Sequence, residues 1–218
     1  MPMKYYFKHA FYWMLLFLLS SCKDSVEKTS NKISVKNQVS KSKPYNLDTL
    51  GLSVEWTAYK FTNKVAVQGS FDSCTFEAKS TSGTVEKILN KSTLSIPTAS
   101  VNSKHPIRDF KLFHCFFEAF NTSEIVGTIL KAKEGEGVFR LKMNSISKRI
   151  PFTYSILNDT ISKHNMIRLF TNINLIDFKG EEALTMLNTD CYELYKGEDG
   201  VSKLWPDVDV VIKIPIKP

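Results

Sequence analysis

The sequence predicts an all-β domain, an antiparallel eight-stranded lipocalin-like β-barrel with one or two short helices, and three observations carry that prediction. From Tyr45 onward, apolar residues recur at every second position in one segment after another, as in antiparallel strands with one buried face. Turn-rich clusters separate these segments, at Thr81-Ser82-Gly83, Lys133-Glu134-Gly135-Glu136-Gly137 and Gly197-Glu198-Asp199-Gly200. Many short strands so punctuated indicate a sandwich or barrel rather than alternating βαβ units. Third, helical spacing is confined to two stretches, described below.

Taken in order, the chain begins with a segment of a different kind. Residues 1–21 hold Lys4 and Lys8, then the apolar run Ala10 to Leu19, then small residues before Cys22. Ten apolar residues are too few to cross ~30 Å of hydrocarbon as a helix, so the segment reads as a signal peptide. Leu19-Ser20-Ser21-Cys22 resembles a bacterial lipobox, which implies that Cys22 is acylated and becomes the new N-terminus. Residues 22–43 then form a lipidated cysteine and a flexible basic tether: six Lys and five Ser stand between Lys23 and Lys43, opposed only by Asp24 and Glu27. So little apolar surface cannot offset the entropy of ordering the chain. Residues 44–218 are the folded domain.

This division decides what the charge means. The chain of 218 residues carries +7, yet 21 basic and 20 acidic residues remain from Pro44 onward. The basic excess belongs to the signal segment and the tether, where each Lys near anionic headgroups contributes ~1 kcal/mol. With a nearly neutral domain and no nucleic-acid-binding motif, nucleic acid is not an expected partner.

Within the domain, Val54, Trp56 and Ala58 share one face of Ser53 to Phe61, and Val65, Val67, Gly69 and Phe71 one face of the next segment. Leu94 and Ile96 continue the alternation, as do Phe139, Leu141 and Met143, then Ile150, Phe152, Tyr154 and Ile156. The last strand is the clearest, with Val208, Val210, Ile212, Ile214 and Ile216 on one side and Asp207, Asp209, Lys213 and Lys217 on the other. Glu181 to Tyr195 breaks the rule: Ala183, Leu184, Leu187, Cys191 and Leu194 predict one helix packed on the barrel, with Gly197 as its stop. Ile107 to Phe120 places five Phe within eleven residues, at 110, 113, 116, 117 and 120, beside Leu112. That stretch is read as a short amphipathic helix over one barrel end, as part of an apolar ligand's enclosure, or as both.

At these residues the chain resembles the YceI-like, polyisoprenoid-binding proteins of bacteria. The resemblance runs from Ser53-Val54-Glu55-Trp56 and Val67-x-Gly69-x-Phe71 through Ser95-Ile96-Pro97-Thr98-Ala99-Ser100-Val101 to Arg108-Asp109-x-x-Leu112 and Phe116-Phe117. It continues in Leu141 to Lys148 with Ile150 and Phe152, and in Gly197-x-x-Gly200-x-Ser202-Lys203-x-Trp205-x-Asp207-Val208, a pattern of the family's lipoprotein branch. Ser145 stands where the family pattern has a turn glycine, and Glu118 where it has Asp. The resemblance implies a barrel holding a long isoprenoid or other amphiphilic chain. Alternation and family register together make Trp56, Val67, Phe71, Ile96, Leu141, Met143 and Phe152 the wall, with Leu112, Phe113, Phe116 and Phe117 near an opening. Arg108 and Asp109 are expected to form a structural pair that pins this loop to the barrel.

Catalytic and metal-binding alternatives find little support. His105, His114 and His164 follow no metalloprotease or nucleophile pattern, and Glu198-Asp199 supplies too few oxygens for a calcium loop. Cys74, Cys115 and Cys191 allow at most one disulfide, whose partners the sequence does not choose, and are read first as small buried hydrophobes. No enzyme activity, cofactor or metal is expected.

The expected function is that of a periplasmic or outer-membrane lipoprotein of a bacterial cell envelope, binding a polyisoprenoid, isoprenoid quinone or fatty-acid derivative. The alternative is a structural or interaction module whose barrel is filled by its own side chains, since 26 residues are aromatic. The expected partners are the apolar ligand and the membrane, and a homodimer is left open. Cys22→Ala is expected to abolish incorporation of labelled palmitate and to release the protein from the membrane fraction; labelling equal to that of the unaltered chain would remove the lipobox reading.

Overall fold

The computed structural model describes residues 44–158 and 165–218. The expected signal segment and tether, Cys22 among them, and His164 lie outside the described residues. The strands are β1 (Tyr45–Leu47), β2 (Ser53–Lys60), β3 (Val65–Phe71), β4 (Thr75–Glu77), β5 (Ser82–Gly83), β6 (Thr93–Pro97), β7 (Val101–Asn102), β8 (Glu124–Lys133), β9 (Glu136–Met143), β10 (Ile146–Asn158), β11 (Asn165–Asn174) and β12 (Asp207–Lys217). They join one sheet in which every pairing is antiparallel. The expected all-β class is the observed one.

Following the ladder gives β6-β8-β9-β10-β11-β12-β2-β3-β7. Because β7 continues β6 after a single 3₁₀ turn, Thr98–Ser100, the path returns to its start, and β6 with β7 counts as one bent strand of an eight-stranded ring. Pro97 ends β6, as expected of a residue that cannot donate to a ladder. The chain then leaves β8 and takes up β3 through Ser70–Asn102 and Phe71–Val101. The turn is held by fully buried Thr98, whose hydroxyl reaches the carbonyls of Thr122 (2.8 Å) and Ser123 (3.0 Å). The Ser100 hydroxyl meets Pro97 O and Ser73 O.

Each expected strand is present, and β8 and β11 add to them. β8 carries a register shift between Ile129 and Lys131, a bulge that breaks its alternation. The β9–β10 hairpin turns on Asn144-Ser145, both at positive φ (46° and 60°), as a two-residue primed turn requires. Asn144 is tied down by its backbone N–H to Thr122 Oγ1 and its side-chain amide to Phe178 O.

Instead of one or two helices, the described residues form four short α-helices: α1 (Val85–Leu89), α2 (Pro106–Lys111), α3 (Glu181–Asp190) and α4 (Tyr192–Tyr195). The His105 side chain caps α2, Pro106 occupies its first turn, and the helix runs on into a π-helical stretch, Leu112–Phe117. The helix expected over 181–195 breaks at Cys191, where the backbone leaves helical geometry (φ −113°, ψ 23°). Ala183, Leu187, Cys191 and Tyr195 are buried, but the break turns Leu194 outward to 58% exposure, against expectation. Val65, at the start of β3, and Ile156, near the end of β10, are likewise exposed.

Two glycines let aromatic rings lie flat on the sheet. Trp56 faces Gly69 across β2–β3, and Phe152 faces Gly137 across β10–β9. A Cβ at Gly69 would stand 2.2 Å from the Trp56 ring and 2.8 Å from Asn102 O, and one at Gly137 would stand 2.2 Å from the Phe152 ring. Since Gly69 precedes the closing pairs and lies against the backbone of β7, Gly69→Ala is expected to destabilise the domain by about 1–3 kcal/mol, the usual range for overpacking. Urea unfolding of the variant against the unaltered chain checks this.

Candidate functional site

The inward residues of the ring leave part of the interior unfilled. At one end, Phe139, Phe152 and Tyr154 form a chain of rings (centroids 5.6 and 6.1 Å apart), and the Tyr154 hydroxyl donates to Glu86 of α1 at 2.8 Å. Burial and the neighbouring carboxylate push the Tyr154 phenol up to about 12, so it stays a neutral donor. Val85, Ile88 and Leu89 of α1 are buried at the same end. Phe139 forms the floor of a cavity of about 190 Å³ that extends from this plug toward the other end.

The opposite end is covered by helices. Phe116, Phe117 and Phe120 pack ring to ring (5.1 and 5.3 Å), and Phe117 reaches Phe71 of β3 at 6.2 Å. Leu184 and Leu187 of α3 and Tyr195 of α4 complete the cover, with Leu204 and Trp205 from the segment leading into β12. The wall is almost wholly apolar, and its few polar groups are engaged elsewhere. The Thr171 hydroxyl donates to Pro151 O, the Trp205 indole to Phe61 O, and burial pushes the Tyr195 phenol above its ordinary range.

Such a cavity attracts an apolar guest. Apolar voids of ~150 Å³ stay dry and take up small hydrocarbons. The side chains lining this space lack partner atoms on one side, and an apolar guest restores those contacts.

The sequence matches no family model and no curated protein. Among solved structures it is similar to a polyisoprenoid-binding domain from Saccharophagus degradans implicated in plant cell wall breakdown, at 16% identity and a TM-score of 0.57 over 79% of this chain and 97% of that one. BcnA of Burkholderia cenocepacia superposes at a TM-score of 0.53 and 9% identity, over 78% and 99% of the two chains. A Campylobacter jejuni YceI protein covers 68% of this chain with 83% of its own, at 19% identity and a TM-score of 0.46. The domain shares its fold with the Saccharophagus degradans domain and with BcnA.

In this barrel, nine of the eleven residues selected from the sequence border the cavity: Trp56, Val67, Phe71, Ile96, Leu112, Phe116, Phe117, Leu141 and Met143. Phe152 and Phe113 do not. Phe152 is buried and points inward, but it lies over Gly137 one layer deeper, in the plug. Phe113 is half-buried and turned toward the His114 ring, 4.9 Å away. Ile107 and Phe110, on α2, are 64% and 63% exposed.

Arg108 and Asp109 hold the cover, though not as an ion pair with each other. Both converge on buried Ser103: Arg108 Nε donates to its hydroxyl and Nη2 to its carbonyl (both 2.7 Å), while the Asp109 carboxylate accepts from its backbone N–H (2.7 Å) and its hydroxyl. A neutral hydroxyl placed between them serves both charges, which is why adjacency in sequence did not become direct pairing. His114 is exposed and paired with Glu118 at 2.9 Å rather than directed inward.

Sequence reasoning passed over Leu169, Ile173, Ile212 and Ile214, which β11 and β12 bring to the wall, and Tyr195, which α4 brings to the mouth. The alternation of β12 was a usable signal; Tyr195 had only its four-residue spacing from Cys191.

Gly127 of β8 offers a test that spares the fold. A Cβ there meets only Phe139 and Leu141, at 3.9 and 4.0 Å, and points into the cavity. Gly127→Leu is expected to leave the melting temperature unchanged or raised while lowering uptake of an apolar fluorophore such as cis-parinaric acid at least ~10-fold, about 1.4 kcal/mol of lost binding. Unchanged uptake would place the ligand outside this space.

Proposed function

We propose that this protein is a membrane-tethered lipoprotein of a bacterial cell envelope that binds a long-chain apolar or amphiphilic molecule within its barrel. The ligand class is a polyisoprenoid, an isoprenoid quinone or a fatty-acid derivative, held for storage, transport or protection from stress. The apolar cavity between the aromatic plug and the helical cover is the observation that carries this reading. Support for the ligand class comes from the Saccharophagus degradans domain of the same fold, described as polyisoprenoid-binding. The reading is of a binder and not of an enzyme.

The wall dictates how recognition would work. Burial of apolar surface at ~25 cal/mol per Å² supplies the driving force without polar contacts. A head group would rest near the mouth, where Tyr59, Lys60 and Arg108 border the space. The acyl anchor at Cys22 and the tether of 22–43 would keep the barrel close to the membrane in which such chains dissolve.

Trp56 is a built-in reporter, because its ring borders the cavity. Decylubiquinone added to the purified full chain is expected to quench tryptophan fluorescence saturably, and organic extraction of the protein as isolated is expected to release an apolar molecule. Absence of both would leave the barrel without a ligand.

A further inference from the structure

One cluster of reactive side chains lies outside the cavity wall, where the cover meets the α3–α4 break. Lys111, the last residue of α2, reaches across to Asp190, the last of α3, with Nζ 2.6 Å from its carboxylate and 3.0 Å from its carbonyl. Cys115 follows Lys111 by four residues and so lies one turn along the same helical face. Cys191 directly follows Asp190, and its Sγ stands 3.8 Å from the same carboxylate. The Cys115 thiol faces that carboxylate as well, so one acidic group neighbours both sulfurs. Cys74 stands apart on the β3–β4 connection.

We propose that Cys115 and Cys191 are a redox pair whose disulfide staples the phenylalanine cover to the α3–α4 junction. Three geometric facts favour this pair. Both sulfurs share one neighbour, their elements pack against each other, and the backbone already departs from regular α-helix at both cysteines, as a π-helical stretch at Cys115 and as the helix break at Cys191.

The chemistry is thiol–disulfide exchange with a low-molecular-weight disulfide as oxidant. The Cys115 thiolate, the less buried of the two, attacks one sulfur of the oxidant, breaking its S–S bond and releasing one thiolate, which takes up a proton. The Cys191 thiolate then displaces the second thiol from the mixed disulfide. Two electrons pass from the cysteine sulfurs to the oxidant, which leaves as two thiols. Burial holds both cysteine thiols above their ordinary range, so the thiolates are scarce at neutral pH and the exchange is slow.

The consequence for the cavity rests on the function proposed above; the bond itself does not. Phe116 and Phe117, next to Cys115, border the cavity, as do Leu187 and Tyr195, each four residues from Cys191. A covalent link between them keeps the cover from swinging off the barrel, so the oxidised protein exchanges its ligand slowly and the reduced protein quickly.

The test uses the full chain, incubated with glutathione disulfide, alkylated with iodoacetamide and mapped by peptide mass spectrometry. A peptide joining Cys115 to Cys191, lighter by two hydrogen atoms than its separate halves, is expected, with Cys74 alkylated. The link should vanish in Cys115→Ser and in Cys191→Ser and persist in Cys74→Ser. Alkylation of both residues after oxidation, or a bond to Cys74, overturns the pairing. Uptake of cis-parinaric acid should be several-fold slower in the oxidised protein and recover with dithiothreitol; equal rates overturn the lock. Absence of uptake by the reduced protein overturns the cavity reading instead, while the peptide map still decides the bond.

Discussion

The barrel depends on one bent strand. β6 and β7 are a single run of chain that pairs with β8 on one side of Pro97 and with β3 on the other. Thr98 makes the bend tolerable, because this fully buried residue donates its hydroxyl to Thr122 O and its backbone N–H to Ser123 O, in the segment that ends the phenylalanine cover. Leaving such groups unpaired would cost about 1–3 kcal/mol each. Closure of the wall and placement of the cover are therefore one event: the residues that let the sheet return to its start also fix where the cover ends.

With the wall closed, the contents of the interior follow from ring size and ring placement. Eight strands enclose a space that side chains can fill or that can hold one small ligand, and in this barrel side chains fill one end and leave a cavity beyond it. Phe139, Phe152 and Tyr154 fill one end together with α1, while the Phe116–Phe117–Phe120 group closes the other without entering it. The glycines opposite Trp56 and Phe152 let those rings lie down against the sheet instead of projecting across the interior. A self-filled interior and a cavity, alternatives in the sequence, thus describe different ends of one molecule.

Period-two alternation exposed the strands with regular pairing: β2, β3, β9, β10 and β12 place their expected apolar residues inward, with Val65 at the exposed start of β3 and Ile156 near the exposed end of β10 as the exceptions. The bulge of β8 hid that strand, because one extra residue shifts every following side chain to the other face. The same limit affected the site. Nine lining residues could be read from alternation and family register, but Phe152 shares its facing with its neighbours and differs only in depth along the barrel axis, which periodicity does not carry. Leu194 fits a helical stripe that the chain abandons at Cys191.

By itself the sequence determined the class of the fold, the faces of its strands and the near neutrality of the domain, because these are properties of periodicity and composition. Tertiary structure alone decided which neighbours meet. The two ends of the sheet join through Thr98, Arg108 and Asp109 meet at Ser103, and Cys115 comes to the same carboxylate as Cys191. Each is a contact between segments far apart in the chain or across a turn, and local patterns of residues hold no information about such distances.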